Sequence, residues 1–230
     1  MSIALYAAPA AASGFDVARF GSDRAHAAAA TPYATYYNPA ALGITRKGEL
    51  ALDLLTAFRT ASYDRTSTDV AEPAGAAGAN VGKATLSNVL VGPALAASFR
   101  LGDLGLGLGV FSPMAGAAKW NGNDAFRGDR DHPGAQDGRA RWHIISGSYA
   151  SLYLSAGAGY TFRKLGLSLG VSGNLIYNRF ELTRASTVAL DDDIAREGRI
   201  HLEGSGWVGS FAVGALWEIL RDRLWLGVSY

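Results

Sequence analysis

The stretch Leu165–Glu181, LGLSLGVSGNLIYNRFE, decides the fold. Its odd positions read Leu165, Leu167, Leu169, Val171, Gly173, Leu175 and Tyr177; its even positions read Gly166, Ser168, Gly170, Ser172, Asn174, Ile176 and Asn178. A period of two puts the two sets on opposite faces of an extended chain, so the segment reads as a strand. The apolar face covers about 13 residues, or roughly 43 Å at about 3.3 Å per residue. Strands of soluble domains are usually half as long, whereas one of this length, tilted by about 45°, crosses roughly 30 Å of hydrocarbon.

The alternation continues on both sides. Ala150, Leu152, Leu154, Ala156, Ala158, Tyr160 and Phe162 share one face of the preceding run, and only Arg163-Lys164 separates the two, which is the spacing of a tight hairpin. Val89–Leu101 turns through Gly102-Asp103 into Leu104–Val110. Trp207–Trp217 leads through Leu220–Arg223 into Leu224–Tyr230, and Glu49–Thr60 alternates as a first strand. About seven strands result. Short links alternate with long polar connections at about 61–84, 113–141 and 182–204, as in an outer-membrane barrel with short periplasmic turns and long outer loops. A soluble sandwich would carry Lys, Glu and Thr on its wet face; here that face carries Gly, Ser and Asn. The expected fold is all-β, an antiparallel up-and-down transmembrane β-barrel, with residues 49–230 forming part of its wall.

Composition narrows the function classes. Only 18% of the residues are charged, against about 25% in an ordinary soluble domain. With 21 basic and 20 acidic residues the chain lacks the positive footprint that nucleic acid requires. It contains no cysteine, which removes disulfides, thiol nucleophiles and Cys-based zinc sites. His143 lies near Ser146 and Ser148, but offsets of three and five put each serine on the opposite face of a strand, away from a nucleophile–base pairing. No HExxH or glycine-rich phosphate loop occurs. The charged segments Asp191-Asp192-Asp193 and Asn121–Arg141 read as solvated loops. No enzyme, metal or cofactor is expected.

Residues 1–13, MSIALYAAPAAAS, read as the remnant of a signal peptide. They precede Gly14–Gly43, which ends in Asn38-Pro39-Ala40-Ala41-Leu42 just before the first strand. With its Gly14-Phe15 start, Arg24-Ala25 pair and Asn-Pro-Ala motif, this segment resembles the N-terminal plug of the FadL/TodX (OmpP1) family of outer-membrane transporters for hydrophobic compounds. Leu104–Trp120, LGLGLGVFSPMAGAAKW, is similar to the third strand of that family, where the wall is kinked and opens sideways. Trp142–Phe180 continues the resemblance.

The resemblance implies a plug over residues 14–48 and passive uptake of long-chain fatty acids or aromatic hydrocarbons across a Gram-negative outer membrane, in contact with membrane lipids and lipopolysaccharide. The family barrel has fourteen strands and is expected to be monomeric when complete. About seven strands therefore make half a wall, and the chain reads as a C-terminally truncated fragment. Asn38, Pro39 and Ala40 are the implied gating residues; on their own they also read as an ordinary turn initiator. Phe111, Ser112 and Pro113 mark a strand break, since proline cannot donate to a ladder, and thus a lateral exit. Leu55, Phe111, Ile176 and Phe180 fall on the parity opposite to the lipid face and would line a ligand pocket or pack against the plug. Arg59 and Arg100 share that parity and would pair with a fatty-acid carboxylate or neutralise carboxylates such as Asp53. The rival functions are a structural or adhesive outer-membrane barrel without transport and a soluble all-β lipid-binding module.

Overall fold

The computed structural model describes residues 20–22, 25–66, 72, 74–189, 192–221 and 223–230. The signal-peptide reading, Gly14-Phe15, Arg24 and Asp191 lie outside the described residues. Seven strands follow in chain order: β1 Gly48–Arg65, β2 Gly82–Leu101, β3 Leu104–Lys119, β4 Ser146–Phe162, β5 Leu167–Ser186, β6 Gly198–Leu220 and β7 Leu224–Ser229. They form one antiparallel sheet in the order β1-β2-β3-β4-β5-β6-β7, each strand paired with its sequence neighbours, so the wall is an up-and-down half-barrel.

The strands run further at the long-loop end than their apolar alternation implied. β1 continues to Arg65, β3 to Lys119 and β5 to Ser186, while β2 and β6 begin at Gly82 and Gly198. The added lengths of β1, β2, β5 and β6 are largely polar and that of β3 lies beyond Ser112-Pro113, so hydrophobic patterning alone assigned them to loops. At the opposite end the links are tight, with Gly102 (φ +64°) and Gly166 (φ +61°) taking the left-handed backbone that the turns demand.

The two faces of the sheet differ as the alternation required. Leu50, Leu52, Leu54 and Phe58 of β1 are exposed, as are Val89–Leu101 at odd positions on β2 and Leu104–Val110 at even positions on β3. The same holds for Leu152 to Phe162 on β4, Leu169 to Leu175 on β5, and Trp207, Phe211, Val213 and Trp217 on β6. None of the outward positions in this band is charged. Trp207, in ring contact with Tyr177 at 5.0 Å, marks one border. Tyr160, Phe162 and Trp217 mark the other. From Trp207 to Trp217 the strand rises roughly 33 Å at about 3.3 Å per residue, which at a tilt of about 40° is a band of about 25 Å. Immediately beyond the first border the outer face turns ionic, with Arg179 Nη2 on Glu203 Oε1 at 3.0 Å.

The inner face receives the N-terminal segment, which holds a short helix α1, Ala34–Tyr37, and a 3-10 helix, Pro39–Ile44. The latter packs on β3, β4, β5 and β6. Ala40, Ala41 and Leu42 are wholly buried there with Leu216. Backbone lies directly on backbone. A side chain at Gly159 or Gly170 would meet main-chain atoms of Pro39 and Ala40, and one at Gly214 would meet the Asn38 side chain.

Candidate lumen, wall opening and outer cap

Asn38 sits at the hinge of the N-terminal segment. Its backbone is extended (φ −164°, ψ 101°), and its side-chain oxygen caps the 3-10 helix by accepting from the Ala40 N–H at 3.1 Å, with Pro39 in the first helical position. The amide nitrogen donates to Ala27 O at 2.6 Å and to Ala215 O on β6 at 3.0 Å. The Asn-Pro pair is therefore both a turn initiator and a tie to the wall. Pro39 and Ala40 lie flat against the glycines beneath them.

Above this tie stands an aromatic cluster. Phe20 stacks on Phe111 of β3 with centroids 4.8 Å apart and planes at 9°, and it also meets Tyr33, Tyr36 and Tyr37. Tyr36 reaches Tyr153 of β4 at 5.7 Å. Asp53 on β1 accepts from the Gly21 N–H at 2.8 Å. Phe111 is 0% exposed because the N-terminal segment covers it, so of its two readings the packing contact is the one made.

Phe111 is also the last residue through which β3 pairs with β2, opposite Ala94. The next steps of β3, Ser112 and Pro113, form a bulge: the partners on β4 jump from Phe111↔Tyr153 to Met114↔Ser151, so one residue of β3 is extra. The strand does not end at the proline. It continues to Lys119, but with its faces exchanged. Before the bulge odd positions point inward; after it Met114 and Gly116, opposite Ser151 and Tyr149, do so. On its other side β3 leaves β2 altogether. Backbone pairing between the two segments returns at Asn121 N–H to Thr85 O, 2.9 Å, where Thr85 N–H also donates to Asn121 Oδ1 at 2.6 Å. Between these points Leu86–Pro93 and Ser112–Trp120 bound a window in the ladder roughly 26 Å long at about 3.3 Å per residue. Side chains cross it: Arg59 Nη2 and Asn88 Nδ2 both donate to the Ala117 carbonyl, and Arg59 Nε donates to Asn88 Oδ1 at 3.2 Å.

The residues singled out by parity separate into two groups. Leu55 lies opposite Gly92 at the window, Arg59 opposite Asn88, Ile176 opposite Tyr153 and Phe180 opposite Tyr149, all on the inner face above the aromatic cluster. Ile176 is 6% exposed and Phe180 39%. Arg100 belongs elsewhere. It stands at the tight-turn end, its N–H on Lys47 O, lining a cavity of about 610 Å³ with Arg163, Lys164 and Arg221 below the N-terminal segment. It therefore cannot share a ligand headgroup with Arg59. Neither can Arg59 serve Asp53, six positions away along β1, or roughly 20 Å.

The long loops form a cap that charge patterning did not reveal. Arg141 is 0% exposed. Its Nε meets Glu197 Oε1 and Oε2 at 2.9 and 3.0 Å, Nη1 meets the carbonyls of Ala79 and Gly138, and Nη2 meets Asn80 Oδ1 at 2.8 Å. Asn80 also accepts from Trp142 Nε1 at 2.8 Å and donates to Asp192 O at 3.2 Å, while Arg65 pairs with Asp192. Phe126, Ala135 and Ile194 pack with Ala76 and Ala79 between these loops. His143 is in the loop before β4, not on the strand, so the serine parity argument does not apply to it; its Nε2 lies 3.1 Å from Tyr63 Oη. Burial pushes its imidazole below the ordinary value, with Arg65 and Arg184 adding to the shift. Among the described residues no group of three His, Cys, Asp or Glu side chains converges as metal ligands would.

No family model and no curated protein sequence matches the chain. A solved structure does: the crystal structure of a Pseudomonas aeruginosa FadL homologue is similar with a TM-score of 0.63 at 18% identity, over 94% of this chain and 52% of that one. The chain thus spans about half the length of the structure it matches, and its half-barrel fold is that of part of a FadL-like barrel.

Proposed function

We propose that the chain is part of an outer-membrane transporter of the FadL/TodX type, with its tight turns in the periplasm, its capped loops outside the cell and the segment from residue 14 to 48 as its plug. Its activity is passive uptake of hydrophobic compounds, long-chain fatty acids or aromatic hydrocarbons, with no chemical step and no cofactor. The uncharged exterior band between aromatic borders supports membrane insertion, and the likeness to the FadL homologue supports the class. The observation that carries transport is the window: a wall meant only to scaffold or adhere has no use for a broken ladder in hydrocarbon, where unpaired backbone groups cost several kcal/mol each. Ligand would collect over Leu55, Ile176, Phe180 and Met114, and would leave between β2 and β3 when Asn38, Pro39 and Ala40 shift.

The test is Pro113→Val in the complete gene product, which restores a ladder donor at the bulge with a residue that suits a sheet. At matched outer-membrane levels, uptake of a labelled long-chain fatty acid should fall while insertion persists. Undiminished uptake refutes a lateral exit at this proline. Absence of uptake in the parent protein favours the structural or adhesive barrel, and solubility without detergent favours a lipid-binding module.

A further inference from the structure

We infer that Arg59 and Asn88 are a clasp across the wall opening, and that the carboxylate of an incoming amphiphile releases it. This inference rests on the transport reading. The window is the one stretch where β2 and β3 lack mutual ladder bonds between the anchors Ala94–Phe111 and Thr85–Asn121. Across it a single acceptor, the Ala117 carbonyl, takes a guanidinium N–H from β1 and an amide N–H from β2. The two donors are themselves joined, Arg59 Nε to Asn88 Oδ1 at 3.2 Å. Cross-strand register explains the arrangement, since Arg59 and Asn88 face each other on β1 and β2 and both point inward. The guanidinium thus reaches over β2 to hold β3.

Its partner is the weak member of the pair. A carbonyl is a neutral acceptor that takes a single N–H, whereas a carboxylate brings the opposite charge and accepts from the guanidinium fork bidentately. The inner face around Arg59 offers Leu55, Leu86 and Leu90 as apolar neighbours, a setting in which an acyl chain is welcome and its carboxylate needs a cation. A fatty acid that brings its headgroup to Arg59 removes one donor from Ala117 and takes Asn88's own acceptor role away. An uncharged hydrocarbon or alcohol has nothing to exchange. The clasp is thus a carboxylate-sensitive regulator of the exit, and Arg59 and Asn88 are positioning residues for β3.

The experiment uses the complete gene product in outer-membrane vesicles, with spin labels on cysteines introduced at Val91 and Ala115 on either side of the window. Oleate should lengthen the label separation, and oleyl alcohol should leave it unchanged. Arg59→Met should give the lengthened separation without ligand and no response to oleate, shifting the open-to-closed ratio by about ten-fold, as expected for the loss of one charge-assisted bond. Asn88→Ala should lengthen the ligand-free distance yet keep a response to oleate. Heat-modifiable mobility verifies that each variant is folded. Equal responses to oleate and the alcohol, or an Arg59→Met variant that behaves as its parent, overturn the clasp. Uptake of labelled oleate by the parent protein is scored separately: its absence defeats the transport reading, whereas uptake with an unresponsive window defeats only the clasp.

Discussion

Replacing Gly170 with Ala should loosen the N-terminal segment without disturbing the strand that carries it. A Cβ built on Gly170 falls under 3.0 Å from Ala40 N and from the carbonyl carbon and oxygen of Pro39, all of them main-chain atoms that cannot rotate aside. The segment must retreat by roughly 1 Å, enough to forfeit much of the dispersion contact across the interface. Ala40, Ala41 and Leu42 are 0% exposed against that wall, and overpacking of such a site costs typically about 1–3 kcal/mol. Alanine in place of glycine otherwise favours a strand by about 0.5–1 kcal/mol through chain entropy, so the two effects oppose each other and can be told apart. Gly206 on β6 also faces inward but has nothing within 4 Å of its hypothetical Cβ, which makes Gly206→Ala the matched control. The assay is amide hydrogen exchange over residues 33–45 in the complete gene product in detergent. Gly170→Ala should speed exchange there by about 5- to 150-fold, the equivalent of the overpacking cost, while β5 keeps its protection and Gly206→Ala changes neither. Equal protection of residues 33–45 in the two variants would refute the claim that glycines are required because the backbone of the N-terminal segment rests on wall backbone.

Other perturbations test the remaining layers. Val171→Arg, on the exposed outer face of β5, should impair insertion by about 2–4 kcal/mol while Ser210→Arg on the inner face of β6 should not, as measured by folded yield in lipid vesicles; equal yields would reverse the assigned faces. Arg141→Met strands Glu197, whose side chain is 5% exposed, and should open the outer cap to protease at a cost of about 3–5 kcal/mol, with the pair Arg141→Met and Glu197→Leu recovering part of it; a double variant worse than the single one would contradict the ion pair as the organiser. Because the folded state lowers the His143 pKa from 6.5, the folded cap binds fewer protons than the unfolded one, so its stability is full above about pH 6.5 and declines as pH falls further. Loop protection should therefore drop between neutral and mildly acidic pH, and His143→Gln should abolish that part of the drop.

Much of the architecture was legible because a barrel wall writes its two environments into alternate residues. Leu169, Val171 and Leu175 announced the exposed face, and Ser168, Ser172 and Asn174 the inner one, at positions the structure assigns to those faces. Ser112-Pro113 was legible as an irregularity for a local reason, the missing donor. Its consequences were not. Whether β3 resumes, and on which parity, depends on how many residues the bulge absorbs: the alternation of Leu104–Val110 carried on unbroken would turn Met114 outward, whereas it lies opposite the inward Ser151. The window is equally invisible in one dimension, since it is a failure of pairing between segments and neither strand looks unusual alone. Arg141 was read with its charged neighbours as solvated. Charge density describes the loop's average, whereas this one side chain finds Glu197, Asn80 and two carbonyls; the adjacent Trp142 in an otherwise polar stretch was the only local signal of burial.

One residue joins the two moving parts of the proposed mechanism. Phe111 is at once the lower corner of the window, where β3 last pairs with β2, and the wall's contact with the plug, stacked 4.8 Å from Phe20. Each of the ring contacts around Phe20 is worth about 0.5–1.5 kcal/mol beyond its area, and they are lost together if the N-terminal segment withdraws, because Phe20, Tyr33, Tyr36 and Tyr37 all belong to it. A shift of the plug therefore uncovers the inner side of Phe111 and softens the corner from which the opening begins. The upper part of the same opening is held by Arg59 and Asn88 on Ala117. Two restraints of different chemistry thus close one gap, an aromatic stack below and a polar clasp above. An amphiphile with both an apolar chain and a carboxylate is the kind of molecule that addresses both.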